Sequence, residues 1–402
     1  MKAINYLSVF AVLILLSACN ITKSNKAEYK TKDQLSFVNE QLSLLLIDAE
    51  KENKIPRTLT EGGEMHWTKS GFDWTEGFFP GSCWYLYEVT KDKKWKNAAE
   101  KFQSMFEHHK VKTTRHDLGF VFNCSYGNGY RLTNNEDFKQ VMITAGDSLM
   151  KRFNTKVGCI QSWNVDKGWQ SKRGWKYPVI IDNMMNLELL FELSKLTGND
   201  SYRKAAITHA DTTLKNHFRE DNSSVHVVDY DPETGEVRNK HTAQGYAHES
   251  SWARGQAWGI YGYTVCYRYS KDKRYLEQAQ KIAQYILEYK DTPEDGIPYW
   301  DYNAPNIPNE PRDVSAAAIT VSALIELDGY TKESYALDIE KIMSSLASSQ
   351  YTAKLGENKN FVLKHSVGSI PHNNEIDVPL NYADYYYLEA LVRLKSLKNN
   401  IQ

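Results

Sequence analysis

The sequence shows no excess of charge of either sign: 49 Lys and Arg stand against 50 Asp and Glu. That balance excludes bulk nucleic-acid binding and a polybasic membrane surface as the basis of function. Cysteine is scarce, with five in 402 residues. Cys83, Cys124, Cys159 and Cys266 show no CxxC spacing and no Cys/His pairing, so no zinc site is expected. Their aromatic and apolar neighbours, as in Cys83-Trp84 and Val265-Cys266-Tyr267, mark them as small core residues. His226, His241 and His248 fit no metal-ligand spacing either. A Ser-His-Asp triad, a P-loop and a dinucleotide fingerprint are all missing, because the glycine clusters lack the strand and phosphate-lysine context those motifs require.

The sequence also lacks an apolar run long enough to span a bilayer comfortably. The longest candidate, Leu7 to Leu16, follows Met1-Lys2 and ends in Leu16-Ser17-Ala18-Cys19. Its charge, length and small-residue ending are those of an export signal, and the ending resembles a bacterial lipobox. Residues 1–18 are therefore expected to be a leader and Cys19 a lipidation site. Residues 19–33, rich in Lys, Asn, Ser and Thr, read as a flexible tether. No acidic run follows Cys19, which favours a lipid-anchored protein of the cell envelope facing the periplasm. No linker is visible after residue 33, so residues 34–402 read as one domain.

Aromatic side chains are plentiful, with 26 Tyr and 10 Trp. Such rings stack on sugar faces and hydrogen-bond hydroxyls through their polar edges, though a ring-rich helical core would show the same excess. A local pattern recurs five times: a helix ends, a polar turn follows, and the next helix opens on an aromatic with a small or apolar residue four positions later. The instances are Thr90 to Trp95 with Ala99, Thr133 to Phe138 with Met142, Thr197 to Tyr202 with Ala206, Ser270 to Tyr275 with Ala279, and Thr331 to Tyr335 with Ile339. That spacing places each pair on one helix face. Five helical hairpins joined by long loops predict an all-α fold, a closed ring of hairpins rather than an open solenoid. The loops Gln161–Tyr177, His226–Ser251 and Pro293–Pro311 are expected to carry function, and short strands are expected near Val225–Asp229.

Two aspartates stand out. Asp117 lies in Arg115-His116-Asp117-Leu118-Gly119-Phe120 and Asp182 follows the apolar run Val179-Ile180-Ile181. Burial and a helix terminus can tune such carboxyls for acid/base work, while helix capping is the plainer role for both. His116 adjoins Asp117 and could orient a ligand. Trp74-Thr75-Glu76-Gly77-Phe78-Phe79-Pro80-Gly81 breaks at Pro-Gly ahead of a helix, and Trp74 is either a stacking wall or a buried anchor. In Trp252-Ala253-Arg254-Gly255-Gln256-Ala257-Trp258, Arg254 and Trp258 share a helix face. Arg254 suits a carboxylate or sulfate, or else a structural partner such as Glu249.

Together with Asp182-Asn183-Met184-Met185-Asn186, Asp313-Val314-Ser315-Ala316-Ala317-Ala318 and Asp377 to Ala390, these motifs resemble the unsaturated glucuronyl hydrolases, glycoside hydrolase family 88, over nearly the whole mature chain. The resemblance implies an (α/α)6 barrel with long active-site loops. It implies a hydrolase that removes the Δ4,5-unsaturated uronic acid from the non-reducing end of oligosaccharides made by polysaccharide lyases. It implies Asp182 as general acid/base, Asp117 as a second essential carboxylate, and a sugar subsite lined by Trp74, His226, Gln244, Arg254 and Trp258, with neither metal nor cofactor. His226 and Gln244 rest on spacing from Arg254 rather than on a motif. An enzyme of the same fold acting on rhamnogalacturonyl or ulvan-type disaccharides, a conventional inverting glycosidase, and a non-catalytic sugar-binding lipoprotein are the alternatives. The parent polysaccharide is unassigned, and Lys172, Arg173, Lys176, Lys364 and His365 are either leaving-group contacts or solvated charge.

Overall fold

The computed structural model describes residues 31–69 and 71–399. The expected leader, Cys19 and residues 20–30 of the tether lie outside the described residues. Residues 31–33 of that tether already form part of a helix, α1, described over residues 31–52.

The recurring turn has a specific chemistry. At Thr90-Lys91-Asp92, the Thr90 hydroxyl donates to the carbonyl of Leu86 (2.6 Å) and accepts the amide of Asp92 (3.1 Å). Lys91 turns the chain at φ 59°, and the Asp92 carboxylate caps the next helix by accepting the amide of Lys94. The same three-residue device recurs at Thr133-Asn134-Asn135, Thr197-Gly198-Asn199 and Ser270-Lys271-Asp272. Each cap contributes about 1 kcal/mol. The aromatics that follow, Trp95, Tyr202 and Tyr275, are buried and fasten the two helices together. The fifth junction departs from the pattern: the chain makes a longer turn in which Asp328 accepts the amide of Tyr335 (2.6 Å).

These junctions join α2 (Phe78–Thr90) to α3 (Lys93–Ser104), α4 and α5 (Leu118–Phe122, Asn128–Thr133) to α6 (Glu136–Met150), α7 (Leu187–Thr197) to α8 (Asp200–Asn216), α9 (Ala253–Ser270) to α10 (Lys273–Glu288), and α11 (Val314–Asp328) to α12 (Ala336–Leu346). The first member of each pair packs inside and the second outside. Inner neighbours run α2, α4/α5, α7, α9, α11 and then α13 (Asn381–Asn399), which returns to α2 and closes the ring. The sixth outer helix is α1, from the other end of the chain, joined to α13 by a Tyr387 hydroxyl to Gln34 hydrogen bond (3.1 Å). The fold is an (α/α)6 barrel. Five hairpins are legible in the sequence; the sixth pair is made by the chain ends. Inner helices are apolar nearly all round, as α11 shows, whereas outer helices such as α10 bury one stripe.

Short antiparallel strands crown the N-terminal ends of the inner helices: β1 (Pro56–Leu59) with β2 (Met65–Trp67), β3 (Phe153–Asn154) with β4 (Cys159–Ile160), a three-stranded sheet of β5 (Tyr177–Ile180), β6 (Val227–Tyr230) and β7 (Val237–His241), and a hairpin of β8 (Ser366–Ser369) and β9 (Asn374–Val378). Cys83, Cys124, Cys159 and Cys266 are buried and free.

Candidate active site

Strand β5 delivers Asp182. Its register against β6 is fixed through Ile180 opposite Val227, and the amide of Ile181 donates to the carbonyl of His226 (3.0 Å). The chain then tightens into a 3-10 turn, Ile181–Asn186, ahead of α7. Ser162 accepts the amide of Ile180 and the Asn183 side chain, which also donates to the carbonyl of Ile160 (2.6 Å). Asp182 itself is left out of this lattice, with Oδ2 buried and unpartnered. Gly119 explains how Asp117 comes close: a Cβ there would lie 2.4 Å from the Asn186 backbone, so only glycine lets α4 press against the turn. Asp117 sits at the N-cap position of α4 yet makes no capping hydrogen bond with its side chain. Neither aspartate is spent on capping.

Both carboxyls are held well above the ordinary aspartate range. Burial, then the neighbouring Asp182 charge, push Asp117 up to about 7. Burial pushes Asp182 up to about 6, against the pull of Arg254. The Asp182 charge bears on Asp117, so the two carboxyls titrate as a coupled pair. Their side chains remain 16% and 17% exposed, open to a cavity.

The histidines around them are neutral. Burial lowers His116 to about 3, and its Nε2 lies 3.1 Å from Asp117 Oδ1 without hydrogen-bond geometry. Burial, then Arg254, hold His226 uncharged. His226 Nδ1 accepts the amides of Ala243 and Gln244 (both 3.1 Å), so its proton resides on Nε2, which stands 3.7 Å from Asp182 Oδ2. Arg254 stacks on Trp252, 4.3 Å from guanidinium carbon to ring centre. Its buried partner is Asp313 (3.1 Å); Glu249, the partner suggested by sequence proximity, instead lies by Arg219 (3.7 Å). The Nη groups of Arg254 also donate to the carbonyls of Val367 and Gly368, and Gln244 donates to the same Gly368 carbonyl (3.3 Å).

A cavity of about 540 Å³ gathers Trp74, His116, Asp117, Asp182, Gln244, Arg254 and Trp258. His226 borders it through Asp182. Trp74 is both wall and anchor, half-buried with its ring 4.9 Å from Tyr382. Sequence reasoning missed individual wall residues: Trp163, Trp169, Phe120 and Met185 also line the cavity. Trp163 packs on Trp169 and Trp175 at 5.0 and 5.7 Å, and Trp169 on His372 at 5.2 Å, so the 161–177 loop and the β8–β9 hairpin meet above the site. Three tryptophans six residues apart in one loop were the available signal. The 293–311 loop contributes no lining residue. Of the doubtful charges, Lys176 pairs with Asp231, Lys364 donates to the Ser349 carbonyl and His365 meets Asp377, while Arg173 covers Trp169 and Trp175. None lines the cavity.

A second cavity, of about 750 Å³, lies at the other ends of the inner helices. Its buried charges are paired, Arg268 with Glu188 and Glu326, and Arg393 with Glu326 and Glu389. No lining residue there carries a buried polar side-chain atom without a partner among the described residues. The smaller cavity is the opposite case: Asp182 Oδ2, His116 Nε2, His226 Nε2, Arg254 Nε and Trp258 Nε1 are all buried and unpaired around it. Such a cluster of unmet donors and acceptors marks where a polar ligand sits. Among the described residues no group of three or more His, Cys, Asp or Glu is placed to hold a metal; His241 and His248 stack 4.5 Å apart, with His226 turned to Asp182 instead.

An (α/α)6 barrel with two buried, raised aspartates at its inner helix N-termini, set among indoles, fits an enzyme of the glycoside hydrolase class. The chain belongs to glycosyl hydrolase family 88, whose profile matches residues 48–396. It is 42% identical to the unsaturated glucuronyl hydrolase of Formosa agariphila over 398 residues, 97% of this chain and 98% of that one. A crystal structure of an unsaturated glucuronyl hydrolase specific for heparin superposes with a TM-score of 0.86 at 44% identity, over 91% of this chain and 97% of the other. The structure of an aspartate-to-asparagine mutant of the Streptococcus agalactiae enzyme, complexed with dGlcA-GalNAc6S, matches with a TM-score of 0.75 at 32% identity over 89% and 90% of the two chains.

Proposed function

We propose that this enzyme removes the Δ4,5-unsaturated uronic acid from the non-reducing end of lyase-generated oligosaccharides, with Asp182 as the proton donor. The observation that carries the proposal is the pair of buried carboxyls Asp117 and Asp182, both raised toward neutrality, beside unpaired donors on His226, Arg254 and Trp258. The relatives named above, one of them complexed with an unsaturated disaccharide, support the substrate class.

In the free enzyme Arg254 draws Asp182 toward its ionised form, against the effect of burial. A uronate carboxylate attracted to the free Arg254 Nε offsets that pull, and the ring displaces water. Both changes raise Asp182 further and favour its protonated form. Asp182 then protonates C4 of the vinyl ether, and positive charge develops at C5. Water adds at C5 while the Asp182 carboxylate takes its proton back. The hemiketal so formed opens, releasing a 4-deoxy-5-keto uronate and the shortened sugar. Asp117 and His116 hold the ring hydroxyls, and Trp74, Gln244 and Trp258 confine the sugar. A binding-only protein has no use for two carboxyls poised near neutrality.

The test is incubation with unsaturated and matched saturated uronyl disaccharides. Loss of the alkene ultraviolet absorbance from the first, with the second untouched, is expected; cleavage of the saturated sugar or no reaction overturns the assignment. The Leu16-Ser17-Ala18-Cys19 ending supports a further proposal, a lipid anchor at Cys19 on a periplasm-facing enzyme. Cys19→Ala is expected to move the protein from membrane to soluble fractions; unchanged partitioning contradicts the anchor.

A further inference from the structure

Asp313 does not line the cavity, yet it is joined to the acid through one side chain. It is fully buried at the N-cap of α11. Oδ1 accepts the amide and hydroxyl of Ser315 (3.1 and 2.5 Å) and the amides of Ala316 and Val367 (both 3.4 Å), while Oδ2 accepts Arg254 Nη1 (3.1 Å). With its Nη groups committed to Asp313, Val367 and Gly368, Arg254 keeps only Nε unpaired. Asp313 is therefore the contact that joins three elements, α9, α11 and β8, around a guanidinium on the cavity wall.

We propose that Asp313 is a positioning residue for the hydrolysis, acting through Arg254: it turns Arg254 Nε toward the substrate and offsets the guanidinium charge so that Asp182 can hold its proton. This rests on the assignment of Asp182 as proton donor. Asp182 is faced by Asp117 from α4, His226 at the start of β6 and Arg254 from α9; Arg254 is faced in turn by Asp313, by Tyr382 from α13 and by Glu375 from β9. Among these, Arg254 is the cation that lowers Asp182. Removing the Asp313 charge leaves the field of Arg254 on Asp182 less compensated. That favours the Asp182 carboxylate.

Asp313→Asn keeps a capping side chain and removes the charge. The limb on which kcat falls as pH rises is expected to move toward acid by roughly one pH unit, so that activity falls about tenfold on the alkaline side and far less at pH 5. Asp313→Glu retains the charge with a displaced fork, and is expected to raise KM with the limb in place. A folded Asp313→Asn with an unmoved limb, or an Asp313→Glu whose limb moves like that of the amide, overturns the proposal. Should Asp313→Asn fail to fold, Asp313→Ser, which also caps, is measured in its place with the same outcomes. A wild-type enzyme inactive on unsaturated disaccharides would instead overturn the assignment of function.

Discussion

Replacing Asp182 with asparagine is expected to abolish turnover and to make the protein more stable. In the unfolded chain the carboxyl ionises near 3.8, whereas burial in the fold raises it to about 6. Ionisation therefore favours the unfolded state, and stability drains away as pH rises from about 4 through about 6. At about 1.4 kcal/mol for each tenfold change in acidity, the full loss is about 3 kcal/mol at neutral pH. The residual 17% exposure of the side chain and its coupling to Asp117 reduce that figure, so about 1–3 kcal/mol is expected. For a folded unit of roughly 370 residues, 1 kcal/mol corresponds to about 1.3 °C in Tm, giving a gain of roughly 1–4 °C. The assay is thermal melting of both proteins from pH 4 to pH 7.5, with kcat measured in parallel. The melting curves should coincide near pH 4 and separate by pH 6 to 7. An asparagine variant less stable than wild type at neutral pH, or one whose advantage does not vary with pH, refutes the account of a carboxyl strained by burial. Substantial residual turnover refutes its role as the acid.

Arg254→Ala leaves Asp313 buried without its cation, so it should cost about 3–5 kcal/mol of stability in denaturant melts as well as raising KM; an unchanged melt would mean that the Asp313 contact carries no weight. Gly119→Ala forces a Cβ to within 2.4 Å of the Asn186 backbone; a loss of about 1–3 kcal/mol with a fall in kcat is expected, and a variant with normal kcat would show that spacing between α4 and the Asp182 turn is immaterial. Trp163→Ala should raise KM about fivefold, from roughly 1 kcal/mol of lost ring contact, with little change in kcat; an equal fall in kcat and kcat/KM would instead place Trp163 in the transition state.

The parts of the fold that were legible are those set by neighbours in the chain. The Thr or Ser hydroxyl, the left-handed residue, the Asp or Asn cap and the aromatic anchor lie within six positions, so four helical junctions could be read directly. The pairing of α1 with α13 arises only on ring closure between residues 353 positions apart, which no local pattern encodes. The site followed the same rule. Asp117 and Asp182 stand in recognisable local settings, but their mutual approach depends on Gly119 meeting Asn186. Proximity in the sequence points Arg254 to Glu249, whose side chain is 89% exposed, while the buried carboxylate that it meets lies 59 residues away. Trp163 and Trp169 fall in a loop the sequence marks as functional, but their individual roles are not legible there, because a loop's path decides which rings face the cavity.

Hydration of the vinyl ether is the central claim, and the position of the incoming proton tests it most directly. The enzyme is run in deuterated water on an unsaturated uronyl disaccharide, and the released uronate is examined by NMR before slow exchange intervenes. Proton delivery from Asp182 to carbon predicts deuterium at C4 of the product. Product formed without deuterium at C4, or with deuterium spread equally over the two C4 positions by tautomerisation after release rather than placed on one face, would mean that the bond to C1 is displaced directly, and would contradict the mechanism.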